Sequence, residues 1–331
     1  MKCINKIPAV RLTAFLLTIN MLSGCGTAAY SMPYSMDHPV SSYRMPVTQQ
    51  TENNLAVPFA SKLCIASGDI TGTSPLDLAD TGSAGLFCLD SSETLYAKNI
   101  FEQLHPASLT KVMTALVALK YASPDDLLTA SENVKITEEG ATTCGLEAGD
   151  QMTLDQALHL LLINSSNDVA VMIAENVGGS LEGFSEMMNA EAASLGATNS
   201  HFVNPHGLTA DQHFVTAYDM YLIFQAASSY NLFCEIIHME SYSTVYKDRE
   251  GNDKEISVKS TNQYLRGEKT APESVTVIGG KTGTTKAAQS CLILLAKDAA
   301  GQSYISVILR AVGRDILYEQ MSGLLDQITS G

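Results

Sequence analysis

The protein has 331 residues, of which 45% are hydrophobic and 17% charged, with 23 Gly and 10 Pro. These values are typical of a globular protein and exclude a collagen-like, coiled-coil or wholly disordered chain. Asp and Glu outnumber Lys and Arg by 35 to 20, which gives a net charge of −15, and no basic run is present. We therefore expect no nucleic acid partner. Seven cysteines without a C-x-x-C pair argue against a zinc ribbon or a dithiol redox motif.

The N-terminus has the pattern of an export signal. Three cations (Lys2, Lys6 and Arg11) precede a mostly apolar stretch at 12–22, which is too short to span the roughly 30 Å of bilayer hydrocarbon. The next residues, Leu-Ser-Gly-Cys ending at Cys25, resemble the lipobox of bacterial lipoproteins, where the cysteine is diacylated and the chain is cut before it. We expect a lipoprotein signal at 1–24 and attachment to the membrane through Cys25. A plain secretory signal with an incidental cysteine is the alternative.

Residues 25–58 are rich in Ser, Thr, Pro and Met and have neither helical nor strand period. Such a segment cannot bury enough apolar surface to order itself, so we predict a flexible tether. A segment packed on the domain surface is the alternative. The globular domain is then expected at 59–331.

The first part of this domain is predicted to form a hairpin and then helices. Short β-prone runs at 85–90 and 93–97 are separated by Ser91-Ser92, which favours a hairpin. Apolar residues with helical spacing predict a helix that begins near Ser108 and ends before Ser123. A capping box, Thr-Leu-Asp-Gln from Thr153, predicts the next helix, through about residue 163.

The remaining elements are more helices, followed by strands and a last helix. Helices are predicted at 167–177, 180–196, 216–229 and 315–328, and strands at 275–278, 291–295 and 304–309. Strand patterns at both ends of the chain predict one shared antiparallel sheet with helices on its faces. The fold class is therefore α+β, with an all-helical subdomain inserted at about 126–258.

One motif with possible chemistry is Ser108-Leu109-Thr110-Lys111, at the predicted start of the first helix. Free backbone N–H groups and the positive end of the helix dipole favour a developing oxyanion there. Lys111 lies one turn later on the same side, and burial lowers the pKa of such a lysine, so it could take a proton from Ser108. An N-cap serine with a solvent-reaching lysine is the alternative, because this motif alone is weak.

Two further motifs follow along the chain. Ser165-Ser166-Asn167 falls between two predicted helices, where a short loop can present its side chains; helix capping alone would also explain it. Lys281-Thr282-Gly283-Thr284 follows a strand pattern, and a cation flanked by hydroxyls on a strand edge suits a carboxylate. An exposed turn is the alternative for this third motif.

Together, the three motifs resemble the penicillin-recognising serine enzymes, which comprise penicillin-binding proteins and serine β-lactamases. Further segments are similar to the D-alanyl-D-alanine carboxypeptidases among the low-molecular-mass penicillin-binding proteins; they lie at 96–99, 106–111, 164–168 and 200–208. The resemblance implies a β-lactamase/D,D-peptidase-like fold. It also implies a serine D,D-carboxypeptidase that removes the terminal D-Ala of peptidoglycan pentapeptides and is acylated by β-lactams. No cofactor is implied.

The resemblance also implies the catalytic residues. Ser108 would be the acylated nucleophile, and Lys111 the base that takes its proton. Ser165 would relay a proton towards the leaving amine, while Asn167 would bond Lys111 and the substrate backbone.

In the third motif, Lys281, Thr282 and Thr284 would hold the terminal carboxylate of the substrate, and Gly283 would let the substrate backbone lie close. The backbone N–H groups of Ser108 and Thr284 would form the oxyanion hole. With Cys25 lipidated, the protein would lie on the outer face of the bacterial cytoplasmic membrane.

The sequence argues against three alternatives to a serine carboxypeptidase. A class A β-lactamase needs a glutamate that activates water, and no acid between Asp168 and Gly280 has the required context. A non-catalytic binding protein would be favoured by the loss of Ser108 or Lys111, yet both are present. The histidines at 201, 206 and 213 do not have zincin spacing, so no metal site is expected, and a turn-stabilising role is favoured for His206.

Overall fold

The computed structural model describes residues 62–73 and 76–328. The predicted signal peptide, the lipidation site at Cys25 and the tether at 25–58 lie outside the described residues.

Nine strands and seven helices are present in the described part of the chain. The strands are β1 (Thr81–Cys88), β2 (Glu93–Lys98), β3 (Leu127–Thr129), β4 (Gln151–Thr153), β5 (Ser241–Lys247), β6 (Asp253–Lys259), β7 (Val275–Thr285), β8 (Gln289–Asp298) and β9 (Ser303–Ala311). The helices are α1 (Thr110–Tyr121), α2 (Leu154–His159), α3 (Asn167–Gly178), α4 (Leu181–Ser194), α5 (Ala217–Ala227), α6 (Asn231–His238) and α7 (Arg314–Asp326).

The main sheet has the strand order β2-β1-β9-β8-β7 and is antiparallel throughout. Strands from both ends of the chain meet in it: β1 pairs with β9, with Gly85 opposite Val307. The predicted shared antiparallel sheet is therefore confirmed. It also places β7, which carries the Lys-Thr-Gly motif, at the edge of the sheet.

Both faces of this sheet are covered by helices. Successive side chains of β8 point to opposite faces, so Leu292 and Leu294 pack with Leu317 of α7, while Ile293 lies in the larger core with Met113 of α1. A strand buried on both faces has a nearly continuous apolar sequence, as β8 does. Helix α1, which follows Ser108, is thus packed against the sheet.

The inserted segment corrects the prediction in one respect. It contains α2 to α6, but also a four-stranded sheet with the order β3-β4-β5-β6, so it is not all-helical. Strands β3 and β4 have three residues each, too few to show a two-residue period. Strands β5 and β6 are rich in polar residues and mostly exposed, so they lack the apolar alternation by which a strand is recognised. The eight-residue helix α6 was missed as well.

The other predicted helices are present, with ends that differ by a few residues. Thr153 caps α2 as expected, because its side chain accepts the backbone N–H of Gln156 and the Gln156 side chain accepts that of Thr153. No helix in the described part of the chain is both long enough and apolar enough to cross a membrane.

Candidate active site

Ser108 lies in a single 3-10 turn, Ala107–Leu109, that leads into α1. Ala107 has a φ of 49°, a left-handed conformation that costs a residue with a Cβ roughly 1–2 kcal/mol. The turn is held by Thr110, whose Oγ1 donates to the carbonyl of Ala107 at 2.8 Å and lies 2.8 Å from Nε2 of His213. The backbone N–H of Val203 donates to Nδ1 of His213, so the ring proton is on Nε2 and points to Thr110. Burial lowers the pKa of His213 to about 4, which keeps this ring neutral.

Lys111 is fully buried, and its ammonium nitrogen meets three oxygens. Its Nζ lies 2.9 Å from Oγ of Ser108, 2.7 Å from Oδ1 of Asn167 and 2.7 Å from the carbonyl oxygen of His206. A neutral amine has two N–H bonds and one lone pair. If Asn167 and His206 accept the two N–H groups, the lone pair faces the hydroxyl of Ser108. The arrangement therefore suits proton transfer from Ser108 to Lys111.

The electrostatics of the site favour the neutral amine. Burial, followed by the nearby positive charge of Lys281, holds the pKa of Lys111 well below its usual range, and the carboxylate of Asp168 partly opposes this lowering. With such a pKa, a larger fraction of the lysine is neutral near neutral pH, and the neutral amine can act as a general base.

Ser165 and Lys281 form the second part of the site. Helix α2 continues into one π turn, Leu160–Asn164, and Ser165 then adopts a left-handed φ of 67°. Its Oγ lies 2.9 Å from Nζ of Lys281, which also donates to the carbonyl of Thr282 at 3.0 Å. Lys281 is 1% exposed, and burial lowers its pKa to about 7.

Strand β7 lies directly against the nucleophile turn at Gly283. A Cβ at this position would come within 2.9 Å of the backbone nitrogen of Ser108 and 3.0 Å of the carbonyl oxygen of Pro106. Only glycine permits this approach without a shift of the backbone. The close contact brings Ser108 and Thr284, the two residues expected to form the oxyanion hole, to the same cleft.

The cleft has a volume of about 440 Å³, enough for a short peptide or a small drug molecule. Ser108, Asn167 and Thr284 line it. One wall is the segment 138–142, and the other consists of 207–209 and 284–287. Of the motif residues predicted from sequence, Ser108, Asn167 and Thr284 line the cleft. Ser165, Lys281 and Thr282 contact one another, and the charge of Lys281 acts on Lys111.

The model of the D-alanyl-D-alanine carboxypeptidase family, peptidase family S11, matches residues 72–313. The chain belongs to this family. D-alanyl-D-alanine carboxypeptidase DacF of Bacillus subtilis is 36% identical over 221 residues, which cover 65% of this chain and 54% of that protein. D-alanyl-D-alanine carboxypeptidase DacB2 of Mycobacterium tuberculosis is 30% identical over 242 residues, covering 72% of this chain and 78% of that protein.

The chain spans just over half the length of DacF and of the Escherichia coli relative DacC. Among solved structures, the DD-transpeptidase of Streptomyces K15 superposes with a TM-score of 0.72 at 22% identity, covering 78% of this chain and all of that one. This likeness confirms the predicted α+β, D,D-peptidase-like fold of the S11 family member.

His206 lies in this S11 site although it belongs to none of the three motifs. The carbonyl of His206 bonds Lys111, and Nδ1 of His206 accepts the backbone N–H of Leu208. His206 thus stabilises a turn, as expected, and burial lowers its pKa to about 3. No group of three or more His, Cys, Asp or Glu in the described segments is arranged to hold a metal ion.

Cys144 lies beside the second motif. Its Sγ is 2.8 Å from Oγ of Ser166, and burial raises the pKa of the thiol to about 12. The thiol is therefore a neutral packing group and not a nucleophile. The five cysteines in the described residues are all free.

Proposed function

We propose that the protein is a serine D,D-carboxypeptidase that removes the terminal D-Ala of peptidoglycan pentapeptides through an acyl-enzyme on Ser108. The observation that carries the proposal is the position of the Lys111 amine, which lies 2.9 Å from Oγ of Ser108 and 2.7 Å from each of two acceptor oxygens, those of Asn167 and His206. A lysine whose ammonium group only reached solvent from the helix surface would not be buried in this way.

Acylation begins when Lys111 takes the hydroxyl proton of Ser108 and Oγ attacks the carbonyl carbon of the penultimate D-Ala. The backbone N–H groups of Ser108 and Thr284 stabilise the negative oxygen of the tetrahedral intermediate. The C–N bond then breaks, and the proton held by Lys111 passes through Ser165 to the nitrogen of the departing D-Ala, which leaves Lys111 neutral again.

Deacylation repeats this chemistry with water. Water gives a proton to Lys111 and its oxygen to the acyl carbon, and Oγ of Ser108 leaves and regains a proton. The products are the tetrapeptide and free D-Ala. In a β-lactam the leaving nitrogen stays tethered to the acyl group, so the acyl-enzyme is expected to be long-lived.

A β-lactamase is the alternative function, and one structural observation favours it. Glu138 and Glu139 are exposed and line the same cleft as Ser108, although they precede the second motif and do not have the sequence context of a class A catalytic glutamate. Either carboxylate could activate water for deacylation if it reached the acyl carbon. The lifetime of the penicilloyl-enzyme separates the two functions.

The test uses purified protein, fluorescent penicillin and a synthetic pentapeptide. We expect one penicillin bound per molecule with slow release, D-Ala released from the pentapeptide, and no labelling or release with Ser108→Ala. Ser91→Ala, a substitution of an exposed serine in the β1-β2 hairpin loop that does not line the cleft, is the matched control and should label like the wild type. Rapid release of penicilloate without D-Ala release would identify a β-lactamase, and slow labelling without any D-Ala release would identify a binding protein.

The membrane anchor is a second part of the proposal and rests on the lipobox-like sequence before Cys25. A diacylglyceryl thioether needs the cysteine sulfur, and the acyl chains supply the apolar area that holds the protein at a bilayer. In a bacterial expression host, Cys25→Ser should convert a detergent-phase protein into one that is unprocessed or released, whereas Cys64→Ser should leave the partitioning unchanged. Equal partitioning of Cys25→Ser and the wild type would indicate an ordinary secretory signal.

A further inference from the structure

We propose that Asp168 is a positioning residue for acylation: it fastens the cleft-lining loop at 135–146 to the Ser165-Ser166-Asn167 turn and thereby positions Asn167, which bonds Lys111. The inference rests on the proposed function, since it concerns how Lys111 is prepared to take the proton of Ser108.

The carboxylate of Asp168 is 1% exposed and is bonded by backbone N–H groups. Oδ2 accepts from Cys144 at 2.8 Å and from Leu146 at 3.1 Å, and Oδ1 accepts from Val169 at 2.9 Å. None of the seven ion pairs within the described part of the chain includes Asp168. A buried carboxylate that has no cation in contact is costly unless its bonds hold a needed arrangement.

The bonds of the Asp168 carboxylate hold the loop that forms one wall of the cleft. Two more contacts join the same loop to the second motif: the backbone N–H of Asn167 donates to the carbonyl of Thr142 at 2.9 Å, and Sγ of Cys144 lies 2.8 Å from Oγ of Ser166. Residues 138–142 of the loop line the cleft immediately before these anchor points. Asp168 therefore couples the position of this wall to the position of the Asn167 side chain, which bonds Lys111.

The second effect of Asp168 is electrostatic. The ionisable groups that face Lys111 are Lys281 from β7, His206 from the loop at 201–208 and Asp168 from α3. Lys281 lowers the pKa of Lys111 and His206 is neutral, so Asp168 is the group that raises it. Without this charge the amine would be a weaker base towards Ser108, because proton-transfer efficiency falls with the pKa of the base.

The test is the pH dependence of the second-order rate of acylation by fluorescent penicillin, measured for Asp168→Asn and the wild type. Lys111 acts only when deprotonated, so the rate rises as the pH passes the pKa of Lys111. Removal of the negative charge should move this rising limb about one pH unit lower. The rate at the plateau should fall several-fold because the amine is less basic.

Asp150→Asn is the matched control. Asp150 is also 1% exposed, accepts the backbone N–H of Glu147 at 3.0 Å and pairs with Lys254 at 2.9 Å, so it holds the chain just after the same loop and is not among the charges that act on Lys111. Its rising limb should stay at the wild-type pH. The inference is overturned if Asp168→Asn leaves the limb in place, or if Asp150→Asn moves it equally.

Hydrogen exchange of the wild type tests the clamp, that is, the bonds from the amides of Cys144 and Leu146 to the Asp168 carboxylate, even if Asp168→Asn does not fold. The amides of Cys144 and Leu146 should exchange much more slowly than the amide of exposed Glu139, and equal rates would show that no clamp exists. Failure of the proposed function looks different from either outcome, because the wild type would then release no D-Ala from the pentapeptide, a reaction that is measured separately from acylation by penicillin.

Discussion

At the scale of single residues, the two buried lysines of the site have different tasks because they have different neighbours. Lys111 is surrounded by acceptors for two N–H groups and meets the hydroxyl of Ser108, which suits a base. Lys281 meets Ser165 and the backbone carbonyl of Thr282 at the edge of the sheet, which suits a cation that reads a carboxylate. With a pKa lowered to about 7 by burial, Lys281 is only partly charged near neutral pH before substrate binds.

This pKa leads to a prediction about pentapeptides with a free or an amidated C-terminus. The ratio of their kcat/KM values isolates Lys281, because both substrates need Lys111 in the same state. In the wild type the free acid should be preferred by about 10²-fold below pH 7, as expected for a buried charge pair. The preference should shrink as the pH rises through about 7 and Lys281 loses its proton.

Lys281→Ala should show a weak preference that does not change with pH. Lys286→Ala is a suitable control, since Lys286 lines the same cleft but is exposed. An acid-to-amide preference that is identical in Lys281→Ala and the wild type would remove Lys281 from carboxylate recognition.

At the scale of elements, catalysis depends on how closely β7 approaches the turn before α1. Gly283→Ala adds a Cβ that would meet the backbone nitrogen of Ser108 at 2.9 Å, and backbone atoms cannot move aside as a flexible side chain can. The resulting shift should slow acylation by penicillin about 10- to 100-fold, since displacements of about 1 Å have effects of this size. Gly68→Ala, where a Cβ meets nothing within 4 Å, should acylate at the wild-type rate. A wild-type rate for Gly283→Ala would show that the cleft tolerates a wider separation.

The elements also show how far the sequence could be used for prediction. Helix α1 and the β1-β2 hairpin have local signals, namely apolar spacing and turn residues, so both elements were predicted near their observed positions. The Lys111 contact with the carbonyl of His206 spans 95 residues, and the bonds of Asp168 to Cys144 and Leu146 come from a loop without a pattern of its own. Such contacts depend on tertiary packing, because any residue can offer a backbone carbonyl or N–H.

At the scale of the whole molecule, burial of two lysines side by side is a cost to stability. The pKa of Lys281 is lower in the folded protein than its ordinary value of 10.5, so the unfolded chain binds more protons between about pH 7 and 10.5. The stability penalty from this group is therefore full below about pH 7 and fades as the pH rises towards 10.5.

Lys281→Met, which keeps the length of the side chain without its charge, should raise the free energy of unfolding by about 1–4 kcal/mol at pH 7 and abolish carboxylate recognition. The measurement is the urea midpoint at constant m-value. The gain should become smaller as the pH is raised, and Lys297→Met on β8, where the side chain is exposed, should give no such gain. A less stable Lys281→Met at pH 7 would show that the bonds to Ser165 and Thr282 outweigh the cost of burial.

The place of β7 in the sheet has one more consequence. An outermost strand presents backbone N–H and C=O groups that have no neighbouring strand, and most proteins shield such a row because another chain can pair with it. Thr284 and Thr285 of this strand line the cleft and Gly283 lies against the turn of Ser108, so an extended peptide that paired with this end of the strand would lie beside Ser108. Main-chain pairing of this kind does not depend on the side chains of the guest. The register of this pairing would then decide which carbonyl of a bound peptide lies next to Ser108.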